Sequence, residues 1–233
     1  MQERFPGDFG PLYAETIGGR FPVEPWNTFS NLIFLIIVIR FCYLTRMSYK
    51  NHPLIVASLP ILFLGFLGGT VYHATRSHNV WLLLDFIPIA LLVLLAATSL
   101  WSRVLKVNFI FSVLAIFATV FGLRQMTSLL EVERTLAISL NYVVLAFILL
   151  SPAIIHCLQR ARRGLIWILL ATVFFLIAVT ARVLDTNPLL LAFLPMGSHF
   201  IWHLFGGLSV MFLMEYLYRH LSADPVPQTS SIH

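Results

Sequence analysis

Apolar residues form seven long blocks along the chain, and short polar segments separate these blocks. Each block is roughly 20 residues long, which is the length of α-helix needed to cross a bilayer. The short alternating segments that are typical of membrane β-strands do not occur in the pattern. We therefore predict seven membrane-spanning helices, over residues 27–44, 54–74, 81–101, 106–123, 135–156, 164–182 and 198–218.

The composition supports this interpretation, because 59% of the residues are hydrophobic and only 11% are charged. A soluble globular domain is about a quarter charged, so the composition excludes a soluble single-domain enzyme. We expect an all-α, polytopic membrane protein whose seven transmembrane helices form one bundle. Residues 1–26 are then an extracytoplasmic N-terminal segment, residues 27–218 the membrane domain, and residues 219–233 a cytoplasmic tail.

The charged residues suggest how the chain is oriented in its membrane. Of the fifteen Lys and Arg residues, six fall on the side of the N-terminus and nine on the opposite side. Cytoplasmic loops carry the excess of positive charge, so we expect the N-terminus outside and the C-terminus in the cytoplasm. The basic residues are scattered, which argues against a nucleic-acid partner. Short loops would suit a bacterial inner membrane, and nothing in the pattern predicts an oligomeric state.

Four ionisable residues lie inside or beside the predicted spans, where such residues are costly and are functional candidates by default. His73 ends the second span and Asp85 lies near the start of the third. His199 and His203 open the seventh span. All four fall on the side of the membrane that holds the N-terminus, so we predict that they converge at one depth.

The spacing of the two histidines in the seventh span indicates a metal site. His199 and His203 are four residues apart, which puts both imidazoles on one face of a helix. A catalytic zinc ion takes three protein ligands and keeps a fourth position for water, and His73 is the natural third ligand. Asp85 would serve as a general base or as an acceptor that orients an imidazole. The alternative is that the histidines are interfacial residues that reach toward lipid headgroups.

The segment before the first span is unusually acidic for this chain. Asp8, Glu15 and Glu24 could together bind a hard cation such as calcium, which prefers carboxylate and carbonyl oxygens. The alternative reading is purely local. Asn27 or Thr28 would cap the first helix, and the neighbouring tryptophan would anchor it at the membrane interface.

Four motifs give the chain a family resemblance. They are EPWNTFSN over residues 24–31, YHAT over 72–75, LLDFIP over 83–88 and HFIWH over 199–203. With these motifs in this order, the chain resembles the alkaline ceramidase family. That family belongs to a wider group of seven-helix membrane hydrolases that includes the adiponectin-receptor-like proteins. The motif before the first helix favours the ceramidase branch over the receptor branch.

The resemblance implies a function. A zinc ion would be held by His73, His199 and His203, and the aspartate that matches Asp85 would assist catalysis. The substrate would be a membrane lipid, a ceramide-like N-acyl sphingoid whose amide bond is hydrolysed to a sphingoid base and a fatty acid. The protein would thus act in sphingolipid metabolism. The resemblance also implies a calcium ion at the N-terminal acidic cluster, where Glu24 matches well and Asp8 and Glu15 match loosely.

One position departs from the family pattern. The family has a serine four residues before the histidine of the second helix, and this chain has Gly69 there. We expect Gly69→Ser to be tolerated and not to lower activity. The alternative is that Gly65 and Gly69 form a GxxxG motif that lets helices approach closely, in which case the serine would disrupt folding. The glycine keeps two alternatives open. The chain could hydrolyse another lipid amide or ester, or it could be a receptor-like or scaffold protein that keeps zinc for structure.

Overall fold

The computed structural model describes residues 7–129 and 134–221. Within these ranges the chain is helical and contains no β-strand, which confirms the predicted all-α class. The first six residues of the predicted N-terminal segment and residues 222–233 of the predicted tail lie outside the described residues. Residues 7–24 form turns and irregular backbone before the first helix.

Nine α-helices follow one another along the described part of the chain. They are α1 (Pro25–Ser30), α2 (Leu32–Thr45), α3 (Pro53–Thr75), α4 (Asn79–Leu105), α5 (Phe109–Leu129), α6 (Arg134–Gln159), α7 (Leu165–Leu184), α8 (Pro188–Leu191) and α9 (His199–Tyr216). A π-helical turn, Leu217–Leu221, continues α9. The helix α1 begins with Pro25 at its first position and Glu24 as its N-cap, so the predicted cap at Asn27 or Thr28 is wrong.

Six helical segments are long and apolar enough to cross a membrane. They are Pro25–Thr45, which combines α1 and α2, then Pro53–Thr75, Asn79–Leu105, Leu136–Gln159, Leu165–Leu184 and His199–Leu221. Six of the seven predicted spans therefore coincide with helices that are long and apolar enough to cross a membrane. Many large apolar side chains on the outside of the bundle are exposed, among them Phe111, Phe147 and Leu169. Such a surface fits contact with lipid, and we treat the chain as a multi-pass membrane protein.

The predicted fourth span, residues 106–123, is not confirmed as a membrane crossing. A helix is present there, because α5 covers Phe109–Leu129. It is not among the six segments found long and apolar enough to cross, and the apolar stretch over its described side chains is Phe109–Gly122. The count of seven spans is therefore not established by the described residues.

Glycines allow α3 and α4 to pack closely. A Cβ atom added at Gly68 would lie 2.6 Å from the carbonyl oxygen of Leu84, and one added at Gly65 would lie 3.2 Å from Cβ of Pro88. The predicted GxxxG pair thus has Gly65 at the helix contact, whereas Gly69 faces the side chain of Asp85. The close approach lets α3 carry His73 next to the start of α4 after a connection of only three residues.

The N-terminal segment is fastened to the end of α3 by backbone hydrogen bonds. The N–H group of Gly7 donates to the carbonyl oxygen of Arg76 (2.9 Å), and that of Val23 donates to Ala74 (2.9 Å). The N–H group of Glu24 donates to the carbonyl oxygen of His73 (3.1 Å). Residues 7–24 therefore lie over the end of the bundle at which the second span ends.

Arg76 holds the same segment with its side chain. It follows α3 in the left-handed backbone region (φ 46°) and is only 1% exposed. Its guanidinium donates to both carboxylate oxygens of Asp8, at 2.8 and 2.9 Å, and to Oε1 of Glu24 at 2.6 Å. One buried cation thus neutralises two buried carboxylates that come from the N-terminal segment.

We expect Arg76→Gln to destabilise the protein strongly. The substitution leaves Asp8 and Glu24 buried without a counter-ion, and breaking a buried ion pair costs about 3–5 kcal/mol. Thermal unfolding of the purified chain in detergent would measure the loss as a lower midpoint. The matched control is Arg46→Gln, because Arg46 is exposed. Equal midpoints for the two variants would contradict the proposed anchoring.

Candidate metal centre

Three histidines from two helices converge at the end of the bundle. His73 comes from the last turn of α3, and His199 and His203 come from the first two turns of α9. All three are buried, and a potential ligand atom of each lies within 4.8 Å of the other two. The prediction that these residues meet is confirmed.

A carboxylate orients the imidazole of His73. Nδ1 of His73 lies 2.5 Å from Oε2 of Glu24, and because a carboxylate only accepts, Nδ1 must donate. Nε2 of His73 is then a lone-pair acceptor, and it is buried with no hydrogen-bond partner. A histidine whose second nitrogen is held by a carboxylate is the usual arrangement for a metal ligand.

The pre-helix motif orients His203 in a similar way. Nδ1 of His203 lies 3.1 Å from the carbonyl oxygen of Asn27 and 2.8 Å from Oγ of Ser30. Since a carbonyl oxygen accepts, Nδ1 carries the proton and Nε2 is left with its lone pair. The motif that contributed to the family resemblance therefore supports a histidine of α9.

Two residues of other segments position His199. Oδ1 of Asp185 accepts hydrogen bonds from the N–H groups of Ser198 and His199, both at 2.8 Å, and so fixes the start of α9. The ring of Tyr13 stacks on the imidazole of His199, with 3.8 Å between ring centroids. Nδ1 of His199 is buried and has no hydrogen-bond partner.

The arrangement fits a metal ion better than it fits three structural histidines. Buried polar atoms nearly always have partners, yet a nitrogen of His73 and one of His199 have none. Neutral imidazoles with their other nitrogens held by acceptors are the donor set that zinc and other transition metals prefer. The three histidines could hold a metal ion, and the cluster by itself does not identify which one.

A large cavity opens from this site into the bundle. It has a volume of about 1240 Å³, including the part open to its surroundings, and lies among α4, α6, α7 and α9. Its ionisable lining residues, Asp85, Arg182 and His203, face it at one end, and Ser58 and Ser209 line it further along. The rest of the lining is largely apolar and extends along α9 to Leu217. Fourteen residues of helix separate His203 from Leu217, so the cavity follows α9 for about 21 Å.

Asp85 is the sequence candidate for a catalytic role, and it faces the same cavity as His203. Gly69 of α3 contacts it directly. A Cβ atom added at Gly69 would lie 2.6 Å from Oδ1 of Asp85 and 2.8 Å from Oδ1 of Asn31. A side chain at position 69 must displace one or both of these groups, so our expectation that serine is simply tolerated there needs revision.

The acidic residues predicted to bind calcium have protein donors as partners. Asp8 and Glu24 share Arg76, and Glu15 accepts from the N–H groups of Trp26 (2.6 Å) and Asn27 (3.0 Å). Among residues 7–129 and 134–221, the histidine cluster is the one group of three or more ligand residues close enough to hold a metal. Calcium binding stays a prediction of the family resemblance.

The two glutamates of this segment differ in their electrostatic surroundings. Burial raises the pKa of Glu15 above its usual value, although two backbone N–H groups oppose the shift. Burial would also raise the pKa of Glu24, but the hydrogen bond to His73 and the charge of Arg76 lower it to about 2. Glu24 is therefore ionised when it accepts from His73, as a group that orients a metal ligand requires.

Sequence reasoning missed several residues around the site. Arg76 and Arg182 entered only the count of Lys and Arg residues that predicts the orientation, and Asp185 was assigned no role. The side chains of all three are less than 6% exposed, whereas a charged residue in a loop is normally exposed to solvent. Arg182 and Asp185 could have been found from their closeness to a span. Ionisable residues inside or beside a span are costly, and this argument, which selected Asp85, applies to them equally. Tyr13 carried no such signal.

In the comparisons with known proteins, no family model matches this chain, and no curated protein matches it significantly. The four motifs therefore carry the resemblance without further support, and the function that the resemblance implies stays a prediction.

We expect the purified chain to contain about one divalent metal ion, and we expect His199→Ala to lose it. Removing one of three ligands leaves two imidazoles, which bind a metal too weakly to survive purification. Elemental analysis against protein concentration measures the ratio. The matched control is His78→Ala, because His78 is exposed and lies outside the cluster. Stoichiometric wild-type protein without metal would rule out the site.

Proposed function

We propose that this chain is a zinc-dependent membrane amidase that hydrolyses the amide bond of a ceramide-like lipid. The observation that carries the proposal is the combination of a buried three-histidine cluster and a deep apolar cavity that His203 and Asp85 both line. A metal cluster alone would fit a structural site, and an apolar cavity alone would fit lipid binding. Because the apolar cavity begins at the histidine cluster, the two together favour hydrolysis of a lipid that lies in the cavity next to the cluster.

Each residue of the site would have a separate role in such a reaction. His73, His199 and His203 would hold zinc, which supplies Lewis acidity and activates water at neutral pH. Asp85 would accept a proton from the attacking water and deliver it to the leaving amine nitrogen, so that fatty acid and free amine are the products. Glu24 and the carbonyl of Asn27 would keep two of the imidazoles in the tautomer that ligation requires.

The form of the cavity supports a substrate that inserts one long hydrocarbon chain into it. Its apolar length of about 21 Å would accept an acyl chain, and the amide at the head of that chain would then lie at the polar end. Leu149, Leu213 and Met214 are among the side chains that would contact the acyl chain. Ceramide meets these requirements, as do other lipid amides and esters of fatty acids, which are the alternatives within the hydrolases.

We further propose that the site faces the extracytoplasmic side of its membrane, with the C-terminus in the cytoplasm. The excess of Lys and Arg on the opposite side supports this orientation. Termini on opposite sides require an odd number of crossings, so the proposal includes α5 as the seventh. A bacterial inner membrane would suit the short loops.

A second candidate function is a receptor-like or scaffold protein that keeps a structural metal. The observation in its favour is Gly69, which leaves no hydroxyl at the position of the family serine and no room for one beside Asp85. If that hydroxyl stabilises the developing oxyanion, its absence would cost about 10²–10³ in rate. Metal content would be the same for both functions, so turnover must distinguish them.

We expect purified wild-type protein to release fatty acid from a lipid amide and Asp85→Asn to lose that activity while keeping its metal. The asparagine is nearly isosteric but cannot accept the proton, and losing general-base catalysis costs about 10²–10⁴ in rate. A panel of ceramides, other N-acyl amides and acyl esters, followed by mass spectrometry, measures turnover and specificity. Unchanged hydrolysis by Asp85→Asn would remove Asp85 from the mechanism. A metal-loaded wild type that hydrolyses nothing in the panel would favour the second function.

We expect Gly69→Ala to fold but to hydrolyse lipid amides at least about tenfold more slowly, because its Cβ displaces the Asp85 carboxylate from its position. Gly69→Ser has the same Cβ, but its hydroxyl can donate to the displaced carboxylate, so it should retain more activity than the alanine variant. Hydrolysis rates and unfolding midpoints of the pair separate the two effects. Wild-type rates in Gly69→Ala would mean that the position of Asp85 is unimportant.

A further inference from the structure

Arg182 is a buried cation without a carboxylate partner. It lies in the last turn of α7 and is 5% exposed. Its Nε atom is buried and makes no hydrogen bond. Among the described residues no carboxylate lies at salt-bridge distance from it, and the side chains of Tyr13 and Asp85 stabilise its charge from nearby. A charged group in this position is expensive, and a site normally supplies a partner for it.

The surroundings of Arg182 stabilise the charge only in part. The guanidinium lies over the rings of Tyr142 and Trp202, with 5.3 and 5.4 Å from Cζ to the two ring centroids. The C-terminus of α7 also favours a positive charge. These interactions hold the guanidinium in place, but aromatic faces and a helix end do not use its N–H donors.

The same guanidinium lies at the polar end of the long cavity. Arg182, Tyr142 and Trp202 all line it, close to Asp85 and His203, and the apolar lining continues from there along α9. A cavity that has a guanidinium beside the side chain of Asp85 at one end and is largely apolar over about 21 Å fits an amphiphile with a single chain and an anionic head. A carboxylate is the head that matches the planar fork of an arginine.

We propose that Arg182 anchors the carboxylate of a long-chain fatty acid whose hydrocarbon chain occupies this cavity. Free fatty acid is then a ligand of the protein in its own right. If the proposed amide hydrolysis takes place, this ligand is its acyl product, and Arg182 makes the product a competitive inhibitor. The binding itself requires no turnover, so the two proposals can fail independently.

The first test uses the wild-type chain in nanodiscs and compares palmitate, hexadecanol and methyl palmitate as competitors of a fluorescent fatty acid. The three competitors share the chain and differ in the charge of the head. Because the guanidinium of Arg182 can form a bidentate, charge-assisted pair of hydrogen bonds with a carboxylate, palmitate should bind at least about tenfold tighter than either neutral lipid. Equal affinities for palmitate and hexadecanol would overturn the proposal, whatever the variants do.

The second test assigns the preference to Arg182. In Arg182→Gln, palmitate should bind at least about tenfold more weakly, while hexadecanol changes less than about twofold. Arg182→Lys should keep part of the preference for palmitate, because lysine retains the positive charge but cannot bind a carboxylate in the bidentate geometry of a guanidinium. Arg46→Gln is the matched control, since Arg46 is exposed and does not line the cavity. A palmitate preference that persists in Arg182→Gln would overturn the assignment.

The third test separates Arg182 from the histidine cluster, which could bind a carboxylate through its metal. Palmitate binding is measured on His199→Ala protein after treatment with a chelator. A retained preference for palmitate over hexadecanol supports Arg182 as the anchor, and a lost preference assigns the carboxylate to the metal instead. Fatty-acid binding without hydrolysis of any lipid amide would overturn the proposed function and leave this inference standing.

Discussion

The carboxylate of Glu24 is the interaction on which the site depends. It accepts from Nδ1 of His73 with one oxygen and from Arg76 with the other, and its own backbone N–H donates to the end of α3. Glu24 also occupies the N-cap position of α1, where its carbonyl oxygen accepts from the N–H and hydroxyl groups of Thr28. Because the group is fully buried, every one of these partners is needed to offset its desolvation. The N-terminal segment and the histidine cluster therefore form one cooperative unit.

The helix α9 joins this polar unit to the apolar cavity. Its first turns carry His199 and His203, and Asp185 fixes their position by holding the first N–H groups of the helix. The following turns line the cavity as far as Leu217. A shift of α9 along its axis would thus move the ligands and the cavity wall together. The histidine cluster and the cavity are therefore linked by a single rigid helix.

Much of this arrangement could be predicted from residue order, and the reason is geometric. Span boundaries fix the depth of a side chain, so His73, His199 and His203 could be assigned to one end of the bundle. The depth of a residue in the membrane does not tell which way its side chain points around the helix axis. The neighbours that a side chain contacts depend on that direction. The contact between Gly69 and Asp85 and the stacking of Tyr13 on His199 were therefore out of reach. The fourth span stays a prediction, because α5 is a helix whose membrane crossing the described residues do not establish.

Two buried arginines at the same end of the molecule have opposite surroundings. Arg76 donates to two carboxylates, and its charge is neutralised within the fold. Arg182 has aromatic faces and a helix terminus instead, which leave its Nε donor unused. Placing a carboxylate beside Arg182 would have stabilised the fold at little cost in sequence, as Asp8 does for Arg76. An unpaired cation that lines a cavity is better explained by an anion that enters the cavity than by a requirement of folding.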